Sequence, residues 1–84
     1  MINVGRTLIH ALCFQGNKGG VAVRFDFHDT SLCFVNSHLA AHTEEYERRN
    51  QDFREINNRM CFTLKDSYDT LMISDHELVQ AFYT

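Results

Sequence analysis

The sequence has 84 residues, 44% of them apolar and 23% charged, with a formal net charge of −3. That length allows one domain with a modest core, and the acidic balance argues against a general nucleic-acid binder. No stretch approaches the ~18 consecutive apolar residues of a membrane span, and three cysteines without a CxxC pair imply a reducing compartment rather than a disulfide framework.

The opening MINVGRTLIHALCFQG is a broken apolar run with one arginine, expected to be folded chain and not a signal peptide. GNKGG, residues 16 to 20, follows. Residues 21 to 28, VAVRFDFH, alternate with period two and predict a half-buried strand. Val21, Val23, Phe25 and Phe27 are its apolar face, and Ala22, Arg24, Asp26 and His28 the other. HDTS supplies turn formers, and residues 32 to 37, LCFVNS, predict a second strand covered on both sides, closing a β-hairpin.

Beyond it, Thr43 is the expected N-cap of a helix whose first turn holds Glu44, Glu45 and Glu47. Tyr46, Phe53, Ile56 and Met60 are its expected buried stripe. Glu44–Arg48, Glu45–Arg49 and Glu55–Arg59 are i,i+4 pairs in the favourable order. Residues 62 to 73 read as a loop with an apolar patch at Leu71 to Ile73. Ser74 and Glu77 fit a capping box and argue for a terminal helix, whereas Leu78, Val79, Phe82 and Tyr83 serve a helix or a strand equally.

Two short motifs carry chemistry. In GNKGG, glycines let the backbone approach a ligand and successive N–H groups can cradle an anion. Asn17 adds a neutral donor and Lys18 a mobile charge. The GK[ST] ending of a P-loop is absent, and a plain turn before a strand explains the same residues. In VNSHLAAH, His38 falls where a strand gives way to a loop, a common place for functional side chains. It can hold a phosphate oxygen, transfer a proton, or serve only as a structural hydrogen-bonding residue. His10, His28 and His76 lack partners at ligand spacing, so no zinc site is expected.

Taken together, GNKGGVAVRF, TSLCFVNSHLAAH and EEYERRNQDF resemble the catalytic domain of the type II inositol polyphosphate 5-phosphatases, in register from about Gly16 to Phe62. The resemblance implies an α+β fold: part of an endonuclease/exonuclease/phosphatase-type β-sandwich, with a β-hairpin followed by a helix and a further strand. It implies a Mg²⁺-dependent phosphatase acting on the 5-phosphate of phosphoinositides and inositol polyphosphates. Asn17 and His38 would be the catalytic contacts to the scissile phosphate. Lys18, Arg48, Arg49 and Asn50 lie in matching motifs and would contact substrate, although solvated helix ion pairs account equally for Arg48 and Arg49.

Departures from the family pattern are large. Its metal-binding glutamate belongs to an earlier segment, and its WxGDxNxR motif would follow the last strand, where this chain reads VQAFYT. No Mg²⁺ ligand set is therefore expected, since Mg²⁺ demands oxygen donors in octahedral geometry. The expectation is a fragment of one catalytic domain, inactive alone. It would bind an inositol phosphate headgroup, belong to a cytoplasmic enzyme peripheral to membranes, and self-associate through exposed strands. The alternatives are a non-catalytic anion-binding or protein-interaction module and, less favoured, a nuclease-like phosphodiesterase.

Overall fold

The computed structural model describes residues 2–4, 7–13, 18–39, 43–65 and 67–83. Among these residues, seven strands and one α-helix follow in chain order. They are β1 (Ile2–Val4), β2 (Thr7–Cys13), β3 (Gly19–Phe27), β4 (Thr30–His38), α1 (Tyr46–Arg59), β5 (Cys61–Thr63), β6 (Thr70–Met72) and β7 (Leu78–Tyr83). Five strands form one sheet in the order β1-β2-β3-β4-β7; β5 and β6 form a separate antiparallel pair. β7 lies parallel to β4 at one edge, and the other neighbours are antiparallel.

The expected hairpin is the centre of this sheet, longer at both ends than the alternation indicated. Phe27 pairs with Thr30, leaving a two-residue turn in which His28 and Asp29 have φ of 50° and 64°. Two successive positive φ values match the right-handed twist of the strands they join. His28 is therefore turn, not strand.

The alternation of β3 is present, but its faces are exchanged. Ala22 and Arg24 are 2% and 1% exposed, while Val21 is 43% and Phe27 61% exposed. Register places Leu8, Arg24 and Cys33 in one row, and Ala22 and Val35 in the next. Those rows carry the core, which joins Leu8, Ala22, Cys33 and Val35 to Ile56, Met60, Phe62, Leu64 and Ile73. α1 and the β5–β6 pair thus cover one face of the sheet. On the other face Phe25 stacks on Phe34, with centroids 5.8 Å apart, beside an open apolar groove lined by Ile9, Val21, Val23 and Phe82. β4 is accordingly covered on one side only in this chain: Cys33, Val35 and Ser37 are buried and Asn36 is exposed.

Arg24 explains the exchange. Its Nε donates to His76 Nε2 at 3.1 Å, and a terminal nitrogen pairs with Asp26 Oδ1 at 2.9 Å. A buried guanidinium is tolerable only with such partners. The His76 ring in turn sits 3.1 Å from the Ile73 carbonyl, to which Nδ1 donates, and meets Phe62 edge to face. β3 and the segment entering β7 are bolted together through this cluster.

The expectations for two further regions, the helix and residues 62 to 73, are corrected. The helix stripe is Asp52, Ile56 and Met60, spaced by four; Tyr46 and Phe53 are 57% and 46% exposed. Thr43 opens a 3-10 turn over Thr43–Glu45, and Glu45 occupies the N-cap position without a side-chain cap. Of the predicted ion pairs, Glu55–Arg59 forms at 3.3 Å; Arg48 pairs with the buried Asp52 at 3.4 Å. The second correction concerns residues 62 to 73. They include β6 and most of β5, with Phe62 opposite Leu71. Three-residue strands are too short to show a period, which is why a loop was expected.

The terminal ambiguity resolves as strand. Met72 N donates to Asp75 Oδ2 at 2.8 Å, closing a single 3-10 turn. Glu77 N donates instead to Ser31 Oγ at 2.9 Å, which delivers β7 to the edge of β4.

Removing His76 leaves Arg24 short of an acceptor in the covered layer. His76→Ala is predicted to lower stability by about 1–3 kcal/mol, read as a lower urea midpoint at unchanged m-value. The buried Cys33 thiol is pushed from 9.0 up to about 11 by burial, opposed in part by the charge of Arg24. A thiol pKa raised on folding means that the native state holds its proton longer, so this contribution is intact below pH 9 and is lost as pH rises toward 11. The exposed Cys13 should be alkylated at pH 8 while Cys33 reacts only in denaturant, which mass spectrometry of the labelled peptides will show.

Candidate functional site

The strand ends set the site. Gly19, the first residue of β3, is paired with His38, the last of β4, so the residue before one strand and the tip of the next are neighbours. Lys18 uses that adjacency: its Nζ lies 2.9 Å from His38 Nε2. Both side chains are half-buried. The backbone beneath them belongs to a continuous antiparallel ladder, which fixes the separation of their Cα atoms more firmly than a loop would.

The glycines serve this arrangement differently from the expectation. Gly19 and Gly20 are within β3, not in an anion-cradling loop. A Cβ on Gly19 would be driven into the backbone carbonyl of Leu12, and one on Gly20 would stand 3.0 Å from Ile56 Cδ1. They are small because β2 and α1 approach them closely. Gly16 and Asn17 lie outside the described residues, as does His42, and with them the expected catalytic contact of Asn17.

Of the remaining candidates, Arg48, Arg49 and Asn50 occupy the first turns of α1. Arg48 Nε is 3.4 Å from Asp52 Oδ1, with the carboxylate buried and the guanidinium half-exposed. Arg49 is half-buried and Asn50 exposed. Among the described candidate residues, Lys18 and His38 are hydrogen-bonded to each other. The burial of Asp52 carries no plain sequence signal, because an acid on an Arg-rich helix reads as solvated. The available signal was its position four residues after Arg48.

Electrostatics distinguish this corner from the far end of the hairpin. There a cleft of about 460 Å³ is lined by Asp26, His28, Asp29, Ser31 and Glu77. Three carboxylates repel a phosphate, whereas an ammonium and an imidazole attract one. Among the described residues, no group of three or more His, Cys, Asp or Glu side chains could hold a metal ion. The Lys18–His38 corner offers nitrogen, not the oxygen donors that Mg²⁺ requires. The described residues therefore do not fit a Mg²⁺ site.

Comparison with known proteins places this geometry in context. Residues 2–82 match the model of endonuclease/exonuclease/phosphatase family 2. The type II inositol 1,4,5-trisphosphate 5-phosphatase of Mus musculus is 63% identical over 66 residues, 77% of this chain and 7% of that protein. Synaptojanin-2 of Homo sapiens is 49% identical over 49 residues, 58% of this chain and 3% of that protein. A solved inositol polyphosphate 5-phosphatase domain of spSynaptojanin, in complex with inositol (1,4)-bisphosphate and a calcium ion, superposes with a TM-score of 0.70 at 37% identity. It is matched over 90% of this chain and 22% of its own. The chain thus spans a small part of the relatives it matches.

Gly19→Ala is predicted to destabilise the sheet by about 1–3 kcal/mol, because the new methyl must displace the β2 backbone. It should also separate Lys18 from His38. Urea unfolding and the ring-nitrogen resonances of His38 report the two effects independently.

Proposed function

The chain belongs to endonuclease/exonuclease/phosphatase family 2, and from that membership we propose that it forms the phosphate-holding part of an inositol polyphosphate 5-phosphatase catalytic domain. The observation that carries the proposal is the 2.9 Å contact between Lys18 and His38 at the paired ends of β3 and β4. Its support is the identity to inositol phosphate phosphatases and the solved neighbour's bound inositol (1,4)-bisphosphate. In this proposal His38 and Lys18 bind oxygens of the esterified phosphate, Asn17 adds a neutral contact to it, and Arg48, Arg49 and Asn50 meet the remainder of the headgroup. The longer enzyme would remove a 5-phosphate at the cytoplasmic surface of membranes, with Mg²⁺ polarising the phosphoryl oxygen.

This chain's own contribution is binding and orientation. Hydrolysis of a phosphate ester also needs a positioned water and metal ligands, and the described residues supply no donor cluster for the metal. Among the described strands β7 stands at the sheet edge, all six residues exposed, without a charge or proline to blunt it. With the apolar groove on the uncovered face, it is the surface through which the isolated chain self-associates.

Two measurements on the 84-residue chain test this. Inositol 1,4,5-trisphosphate should bind saturably by calorimetry, with affinity falling roughly tenfold or more in His38→Ala. Phosphate release from phosphatidylinositol 4,5-bisphosphate with Mg²⁺ should stay at background. Robust turnover that depends on His38 overturns the binding-only role. A folded chain that binds no headgroup overturns the phosphate site itself.

A further inference from the structure

Resting on that phosphate-site proposal, we infer that Lys18 is a positioning residue for His38. It holds the imidazole as the neutral Nδ1–H tautomer, so that His38 meets an oxyanion as a hydrogen-bond donor and not as a base.

The inference starts from the donor inventory. A lysine ammonium has three N–H groups and no lone pair, so in the 2.9 Å contact only His38 Nε2 can accept. A ring nitrogen that accepts carries no proton. A neutral imidazole with Nε2 unprotonated holds its hydrogen on Nδ1, because the bond made by one ring nitrogen sets the state of the other. Nε2 is then occupied and cannot take a proton from a water or a hydroxyl. His38 retains one active polar group, the Nδ1–H donor.

The geometry makes this a property of the fold. Gly19 and His38 are register partners, and Gly19 is pressed against the Leu12 carbonyl with no room for a side chain. Lys18, directly before Gly19, therefore leaves the sheet at a fixed point beside the tip of β4. Its ammonium keeps two N–H groups beyond the one given to His38. The corner then offers three donors, two on the ammonium and one on the ring edge that faces away from it, and no free acceptor. Such a set suits the oxygens of a phosphate monoester, each an acceptor of charge-assisted bonds. It does not suit a neutral sugar hydroxyl that must also donate. Of the two chemistries open to a histidine at this strand end, holding a phosphate oxygen and transferring a proton, the contact with Lys18 selects the first.

The test is made on the ligand-free 84-residue chain, at a pH where the ring is neutral. Long-range ¹H–¹⁵N correlation spectra distinguish the two imidazole tautomers. The wild type should show the Nδ1–H pattern for His38. Lys18→Arg should keep it, since a guanidinium also only donates. Lys18→Met should give a mixture. Lys18→Gln, which retains a polar head that can accept, should shift the ring toward Nε2–H. It serves as the second variant should Lys18→Met lose the native amide spectrum. An Nε2–H pattern in the wild type, or an unchanged Nδ1–H pattern in both Lys18→Met and Lys18→Gln, overturns the inference.

Titration with inorganic phosphate is the second arm. Its dissociation constant should rise roughly tenfold in Lys18→Met and stay within about threefold in Lys18→Arg. Loss of affinity in Lys18→Met with the tautomer unchanged would make Lys18 a charge and not a positioning residue, and so overturn the inference. If the tautomer follows Lys18 but phosphate binds to no variant, the tautomer lock is upheld and the phosphate-site proposal fails instead.

Discussion

A guanidinium group lies in the covered layer of this protein with 1% of its surface exposed. Leaving such a group unpaired in a low-dielectric interior would cost several kcal/mol. Arg24 is instead bonded to His76 across the layer and to Asp26 along its own strand. The cluster decides which way the central strand faces. With Arg24 turned inward, Ala22 must follow, and the bulkier Val21, Val23, Phe25 and Phe27 must turn outward. The space beside Ala22 and Gly20 is then filled from above by Ile56, whose Cδ1 stands 3.0 Å from where a Gly20 Cβ would be. Helix position, strand facing and the docking of the last strand all depend on this buried charge and its partners.

The candidate site inherits its rigidity from the same arrangement. The turn at His28 and Asp29 brings β4 back alongside β3, and nine register pairs later the two strands end together at Gly19 and His38. Lys18 and His38 owe their meeting to this ladder and not to any local sequence preference. The acidic cleft at the turn and the basic corner at the strand ends sit at opposite poles of one hairpin. A polyanionic headgroup would be drawn to one and repelled by the other.

The uncovered face of the sheet agrees with the fold of the relatives. A sheet covered by a helix on one side and apolar on the other is half of a layered domain. The solved neighbour superposes on 90% of this chain but extends well beyond the matched 22% of its own length. The Phe25–Phe34 stack and the groove lined by Ile9, Val21, Val23 and Phe82 lie on the face that α1 does not cover.

Local pattern was sufficient for the hairpin, for a helix after Thr43 and for the candidate status of Lys18 and His38. Period-two alternation, turn formers and acidic residues in a first helical turn all act between near neighbours in the chain. The resemblance to the 5-phosphatases, carried by GNKGGVAVRF and SHLAAH, supplied the α+β sandwich lineage in the same way. Which face of β3 is buried could not be read off. Hydrophobicity favours Phe25 over Arg24, and only partners distant in sequence, His76 above all, reverse that preference. The same holds for the Asp52–Ile56–Met60 stripe, whose Ile56 packs over Gly20, and for β5 and β6, defined by their pairing with each other. The fate of residues 74 to 83 turned on Ser31, whose hydroxyl accepts the Glu77 amide and guides the chain into a parallel strand. Each outcome was set by a contact between residues far apart in the chain, which periodicity along one segment cannot contain.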